Sequence, residues 1–374
     1  MFRPSIQRVE VLIVLAVFNL LVYYWAAGST VIQKSRGYEI KIKASKLMNQ
    51  AMLTLKESRI GESGIVFEDN PNDPNETMLV GSEYTLITTD RGDLESKLTT
   101  LNPNFAAMVV DMFLAAGLKQ GDTVAVACTG SMPGANLAVF SACEVMDIVP
   151  VIITSVGAST WGATDPYFTW LDMESILVEK KLFSFRSIAA SIGGGGDYGR
   201  GLPQRGRELL WESIYRNNLP LIQEDRLSQS IEKRINLYSS ATPLSKYELF
   251  VNVGGGAASV GSRNNVKLIT PGLTSLQNLR GLLSECVIQR FADVNVPLVH
   301  LLYIDKLVEK YQIPFAPFPM PEIGHGQLFA TVEFDRAISG IALLLSIASL
   351  FWVGFKSHQQ IKRNMVSYEP DDTL

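Results

Sequence analysis

Residues 122–156 read DTVAVACTGSMPGANLAVFSACEVMDIVPVIITSV, and this stretch decides the fold. The β-branched run DTVAVAC leads into a turn of small residues, TGSMPGAN (Thr129–Asn136). A helical stretch, GANLAVFSACEVM, follows, and then a second apolar strand, VPVIITSV. Short apolar runs bounded by turn signals are buried strands. Strand, helix and strand in that order predict a right-handed crossover between parallel neighbours. The alternation extends both ways. Upstream, EYTLITT reads as a strand and LESKLTTLNPNFAAMVVDMFLAAGL as helix interrupted at Pro103. Downstream come helix MESILVEKKLF, strand FRSIAASI, helix PQRGRELLWESIYRN, the apolar piece LPLI, helix RLSQSIEKRINLY and strand YELFVNV. VPLVHLLYIDKLVEKY reads as a last helix. The expected fold class is α/β, with a mainly parallel sheet and glycine-rich strand-to-helix loops.

Three such loops stand out. SIGGGGDYGRGL (Ser191–Leu202) holds six glycines in twelve residues, at a large cost in backbone entropy. A linker would separate domains, whereas this cluster joins a strand to the next helix. TGSMPGAN and GGGAASVGSRNN (Gly254–Asn265) hold the same position after other strands. In a parallel sheet, loops of this kind emerge together at the carboxyl edge, where open α/β proteins bind ligands. Their amide groups suit an anion. Arg200, Arg205, Arg207 and Arg263 lie within or beside them and match carboxylates in a bidentate manner. The candidate binding residues are Gly130, Ser131, Gly134 and Asn136 in the first loop. The second loop adds Gly194, Gly195, Gly196, Asp197 and Arg200, and the third adds Gly254, Gly255, Gly256 and Arg263. The competing account is purely structural: glycines there let helix and strand backbones approach.

Two enzyme readings stand beside it. Gly194, Gly196 and Gly199 satisfy G-x-G-x-x-G, with Glu224 near the end of the next strand, as in a dinucleotide site. Gly201 and Pro203 delay the helix, however, and Asp197 puts a negative charge in the loop. Alternatively, Ser131 sits at a strand-to-helix turn, as an esterase nucleophile would, although Gly130-Ser131-Met132-Pro133-Gly134 is not G-x-S-x-G. Its base would be His325, in the loop PEIGHGQLF, and its orienting carboxylate Asp197, with Asp165 and Asp172 as alternatives. His300 belongs to an apolar pattern and reads as core. No His, Cys and Asp group has metal-ligand spacing, and no cofactor is expected. Cys128 and Cys143 fall on apolar stretches and read as buried thiols, and the three cysteines with Cys286 make no disulfide framework.

The chain of 374 residues carries 33 basic and 37 acidic side chains, a net charge of -4 that does not suggest a nucleic-acid binder. Its mean hydropathy of +0.15 is raised by the two ends. VEVLIVLAVFNLLVYYWAAG (9–28) is long enough to span a bilayer and ends in an aromatic belt, Tyr23, Tyr24 and Trp25. AISGIALLLSIASLFWVGF (337–355) carries no charge. Both read as transmembrane helices; a cleaved signal peptide is the alternative for the first. Arg3 and Arg8 before the first span, and Lys356, Lys362 and Arg363 after the second, put the tails 1–8 and 356–374 in the cytoplasm. The α/β domain, 29–336, is then extracytoplasmic, against the pull of Lys34, Arg36, Lys41, Lys43 and Lys46. YEIKIKASKLMNQAMLTLKESR, with Ile40, Ala44, Leu47, Ala51 and Leu55 at helical spacing, reads as an amphipathic helix. EDNPNDPNET (Glu68–Thr77) reads as an exposed loop, and PFAPFPMPEIGHG (Pro314–Gly326) as a rigid strap.

Taken together, these segments resemble the poly-γ-glutamate system protein family. The likeness lies in the anchoring helix, the block TGSMPGANLAVFSACEVMDIVPVIITSVGASTWGAT, IGGGGDYGRGL, LFVNVGGGAASVG, the proline strap and the terminal span. It covers most of the chain. The resemblance implies a membrane-anchored accessory of bacterial poly-γ-glutamate synthesis or export, working in the cytoplasmic membrane beside synthase and export subunits. Its ligand would be the γ-glutamate polyanion. The resemblance carries no catalytic residues with it, and a serine-type hydrolase or transferase acting on the polymer or envelope is the alternative.

Overall fold

A computed structural model of the chain describes residues 9–63, 70–274, 276–279 and 281–366. The tails 1–8 and 367–374, with Glu68 and Asp69 of the expected loop, lie outside the described residues. The chain divides into two compact units, one of them Ser35–Phe329 and the other made of the residues before and after it. The terminal unit starts with α1 (Val9–Gly28) and β1 (Thr30–Lys34).

The Ser35–Phe329 unit starts with α2 (Tyr38–Ser63), whose Ala44, Met48, Ala51 and Leu55 are wholly buried against α4 (Asn104–Ala116), α5 (Pro133–Met146) and α6 (Trp170–Glu179). Between α2 and α4 lie the short strand β2 (Thr88–Asp90) and helix α3 (Leu94–Thr100). The expected break is there: Leu101 caps α3 and Pro103 starts α4. Asp93 caps α3 by accepting from the Ser96 amide at 2.7 Å.

The main sheet has seven strands: β3 (Thr123–Thr129), β4 (Val149–Ser155), β6 (Ser187–Ser191), β7 (Leu221–Ile222), β8 (Leu249–Val253), β9 (Gly272–Thr274) and β10 (Leu298–Leu301). Their order is β7-β6-β4-β3-β8-β10-β9, parallel throughout except where β9 joins β10. The chain steps outward from β3 to β7, then returns to the other side of β3 at β8. That reversal opens a crevice beyond the carboxyl ends of β3 and β8. Alternate residues of β3 feed two cores. Val124, Val126 and Cys128 face the larger, with α2, α4, α5, α6 and α7 (Gln204–Arg216). Ala125 and Ala127 face the smaller, with Tyr238 of α8 (Leu227–Ala241) and Phe291 of α12 (Val287–Asp293). All three cysteines are free and buried.

Three expectations are corrected. VPLVHLLYIDKLVEKY is not one helix. Leu298–Leu301 forms β10, Tyr303 turns the backbone at φ 54°, and α13 (Ile304–Tyr311) follows. A short apolar run fits either period, and the parallel neighbour β8 decides it. Of EYTLITT, only its last threonines enter a strand, β2, which pairs with β5 (Ala158–Ser159) in a separate small sheet. The loop before β2 is not fully exposed. Asp73 is buried and accepts from Thr77 Oγ1 at 2.9 Å and the Met78 amide at 2.7 Å.

After β8 come α9 (Ala257–Val260), α10 (Arg263–Leu268) and, past β9, α11 (Leu276–Leu279). The proline strap is laced to the domain: Ala316 N donates to Thr99 Oγ1 at 2.8 Å, and Asn104 Nδ2 to the Glu322 carbonyl at 2.9 Å. β11 (Ala330–Phe334) and α14 (Arg336–Val366) complete the terminal unit, in which β1 and β11 form an antiparallel ribbon. α1 and the Arg336–Arg363 part of α14 each have a mean hydropathy of 2.1 and are only 6% and 17% buried, so neither is a core helix. Both are long and apolar enough to cross a membrane. They pack together, and Asn19 Nδ2 donates to Ser349 Oγ at 3.2 Å between them.

Candidate functional site

The three glycine-rich loops meet. A cleft of about 1370 Å³ opens at the carboxyl edge of the sheet, lined by Ser131, by Gly194, Gly195, Gly196 and Arg200, and by Gly254, Gly255, Gly256 and Arg263. The β2–α3 segment adds Asp90, Arg91, Asp93, Glu95 and Lys97, and the start of α8 adds Asp225 and Arg226. Glycine is favoured where the backbone enters the left-handed region, as at Gly194 (φ 70°), Gly196 (φ 68°) and Gly254 (φ 83°). The amides of Gly255 and Gly256 have no hydrogen-bond acceptor among the described residues, whereas the Gly254 amide donates to the Leu301 carbonyl at 3.0 Å.

The second loop is a closed knot and not a linker. Gly199 N donates to the Gly193 carbonyl at 2.7 Å, Asp197 N to Gly194 at 3.0 Å, and Arg200 N to Gly195 at 3.0 Å. Asp197, itself at φ 68°, turns inward and is buried. Arg234 of α8, also buried, donates from Nη2 to Asp197 Oδ2 at 2.9 Å, and Ser191, Ser155 and Ser230 donate to the same carboxylate. Asp197 therefore anchors the loop instead of lining the cleft.

Gly130, Gly134 and Asn136 also lie behind the surface. A Cβ on Gly130 would stand 2.2 Å from the Val156 carbonyl oxygen, and one on Gly134 2.5 Å from that of Thr100. Asn136 is buried and donates from Nδ2 to the Thr129 carbonyl at 2.9 Å. For these three the structural account holds. Gly130→Ala is accordingly expected to cost about 1–3 kcal/mol, since backbone on the far side cannot give way. Gly255→Ala, which meets open space, should melt with the parent protein. A shared melting temperature for all three proteins would contradict this.

His325 is not brought to the cleft. It is exposed and sits 3.3 Å from Glu322. His300 is buried in β10, where burial lowers its pKa to about 4 and Asn252 Nδ2 donates to its Nδ1 at 3.0 Å. The structure thus does not assemble Ser131, His325 and Asp197. Asp165 pairs with Arg59 and Asp172 with Arg216, and neither carboxylate is among the residues lining the cleft. Arg205 and Arg207 are turned elsewhere, to Glu212 at 2.7 Å and to the Leu202 carbonyl at 2.6 Å. Beyond Gly199, α7 begins only at Gln204 and has no side-chain cap.

Lys97 is the residue that sequence reasoning missed. It is 2% exposed, and its Nζ donates to the Ser131 carbonyl and to Ser159 Oγ at 2.8 Å, with Met132 Sδ at 3.8 Å. Burial pushes its pKa down to about 7, partly opposed by the charge of Asp93. Ser159, 8% exposed, donates its amide to Ser131 Oγ at 3.0 Å. A lysine in the first α-helical turns of the β2–α3 segment carries no local sign of burial. Ser131, Met132, Ser159 and the Gly92 backbone, brought together by the fold, create it.

Compared with known proteins, the chain matches no family model, no curated protein and no solved structure.

Proposed function

We propose that this protein is a membrane-anchored accessory of bacterial poly-γ-glutamate synthesis or export, and that its cleft holds carboxylates of the polymer. The observation that carries the reading is the convergence of three glycine-rich loops on one cleft, with Arg91, Arg200, Arg226 and Arg263 among its lining residues. Arg200 is exposed, and Arg263 is only loosely paired with Asp90 at 3.6 Å, so both guanidinium groups are accessible to a solute. An extended chain carrying a carboxylate on every residue can use several such forks at once. Acidic neighbours, among them Asp90, Asp93 and Asp225, reduce non-specific attraction and restrict binding to anions that fit between the forks. In this reading both apolar helices cross the cytoplasmic membrane, the tails lie in the cytoplasm, and the Ser35–Phe329 unit works outside beside synthase and export subunits.

γ-Glutamate oligomers are expected to raise the melting temperature of the full chain in detergent, and Arg200→Ala to weaken the effect by about tenfold in oligomer concentration. Chain length should matter more than total carboxylate. Free glutamate at the same carboxylate concentration giving the same shift, or no shift with any oligomer, would defeat the proposal.

A further inference from the structure

We propose that Ser159 and Lys97 form a nucleophile–base pair for acyl transfer within the cleft. Both side chains line it, and they touch through Nζ and Oγ at 2.8 Å. The surroundings are built around that contact. A Cβ on Gly92 would fall 2.8 Å from Ser159 Oγ and 3.1 Å from Lys97 Cε, so the backbone at Gly92 lies against the pair with no room for a side chain. Ser159 is held at both ends: by its amide on Ser131 Oγ, and by its carbonyl, which accepts from the Gly162 amide at 3.0 Å. Thr160 N donates to the Asp90 carbonyl at 3.0 Å and fixes the next residue.

Lys97 has no ion-pair partner among the described residues; Asp93, the charged group acting on it, spends its carboxylate on the α3 cap. A buried ammonium without a counter-ion is costly, and the neutral amine is the form that this site favours. As an ammonium Lys97 donates to Ser159 Oγ; the neutral amine keeps two N–H groups, which match the Ser131 carbonyl and Met132 Sδ, and reverses the third contact, turning its lone pair to the Ser159 hydroxyl. That is the arrangement that a lysine base needs. Ser131 does not fill the nucleophile's role, because Lys97 meets it only at the main-chain carbonyl.

The chemistry balances with water as the only co-reactant. Ser159 Oγ bonds to the carbonyl carbon of an amide while its proton passes to Lys97 Nζ. As the C–N bond breaks, the ammonium returns that proton to the departing amine. Water then attacks the resulting ester, giving a carboxylic acid and restoring Ser159; an acceptor amine in place of water gives transfer. The identity of the substrate as an amide within a carboxylate-bearing chain rests on the polymer reading, whereas the reactive pair does not.

The test uses the full chain in detergent and a fluorophosphonate probe, which needs an activated serine and loses fluoride on reaction. Intact mass and peptide mapping should place one adduct on Ser159, and Ser159→Ala should abolish it. Ser184→Ala, at an exposed serine that donates to Glu144 in the last turn of α5 and is not among the cleft-lining residues, is the control. The labelling rate should rise through about pH 7, and Lys97→Arg should reduce it by roughly 100-fold or more. If Lys97→Arg fails to fold, the pH profile of the parent protein carries the same information. No adduct, an adduct on another serine, or a rate that is flat in pH would overturn the proposal. Labelling without oligomer binding would remove the polymer reading and leave this one standing; oligomer binding without labelling would do the reverse.

Discussion

Arg234→Met is expected to destabilise the Ser35–Phe329 unit by about 3–5 kcal/mol, a drop in melting temperature of roughly 10 °C. Arg234 and Asp197 are both buried, and the guanidinium reaches both carboxylate oxygens, at 2.9 and 3.2 Å, and two serine hydroxyls. Removing the cation leaves a carboxylate with no counter-charge in a low-dielectric interior, where such a group is far more costly than the pair was favourable. The double variant Asp197→Asn, Arg234→Met should recover a large part of the loss, because the unpaired charge is then gone. The loop conformation is part of the same experiment. Asp197 sits at φ 68°, a backbone state that a non-glycine residue adopts only when its surroundings hold it there. Arg234→Met should therefore also weaken oligomer binding at the adjoining Gly194–Gly196 wall. A variant that melts with the parent would mean that the pair is not closed in the folded protein.

Stability is expected to rise with pH above about 7. Lys97 is the cause on the alkaline side. Its pKa falls from 10.5 in the unfolded chain to about 7 in the fold, so across that interval the unfolded state holds a proton that the folded state lacks. The contribution of Lys97 is thus full above pH 10.5 and is lost as pH falls towards 7, at up to about 1.4 kcal/mol per pH unit, while the buried cysteines, whose pKa values burial raises above 9.0, oppose it above pH 9. Glu174 acts in the opposite sense. Burial raises it from 4.5 to about 7 even though the Ser187 amide donates to it at 2.6 Å. Its contribution is full below pH 4.5 and disappears as pH rises through 7. Below pH 7 the opposite slope of His300, whose pKa burial lowers to about 4, largely cancels that of Glu174, so urea midpoints should show mainly the upper limb. Lys97→Met should flatten it, and Glu174→Gln should uncover the rise with pH that His300 imposes between about 4 and 6.5. An upper limb that survives Lys97→Met would show that the amine keeps its proton in the fold.

Much of the fold was legible because local and tertiary preferences agree along β3, α5 and β4. There the apolar content, the loop chemistry and the left-handed cap at Asp147 (φ 55°) all favour one arrangement. Legibility failed where elements are short. β9 spans three residues and β10 four, too few for a period to show, and Tyr303 ends β10 without any glycine or proline to mark the turn. The meeting of the glycine loops followed from their common place after parallel strands, and was readable for that reason. Which residues face outward was not. Asp197 reads as a loop charge until Arg234, deep in the middle of an apparently polar helix, is brought under it. Lys97 carries no local sign of burial until Ser131, Met132 and Ser159 enclose it. Both depend on packing between segments far apart in sequence, and no local pattern carries that information.

Where the chain enters and leaves its main unit, the two ends touch. Ser35 N donates to the Phe329 carbonyl at 2.8 Å, Ser35 Oγ to that of Leu328 at 2.7 Å, and the buried Lys41 Nζ to the same Leu328 oxygen at 2.9 Å. Topologically the unit is therefore an insert with a single closed neck. It can be excised, or its termini rejoined by a short bridge and reopened at a surface turn, without stretching any element of the sheet.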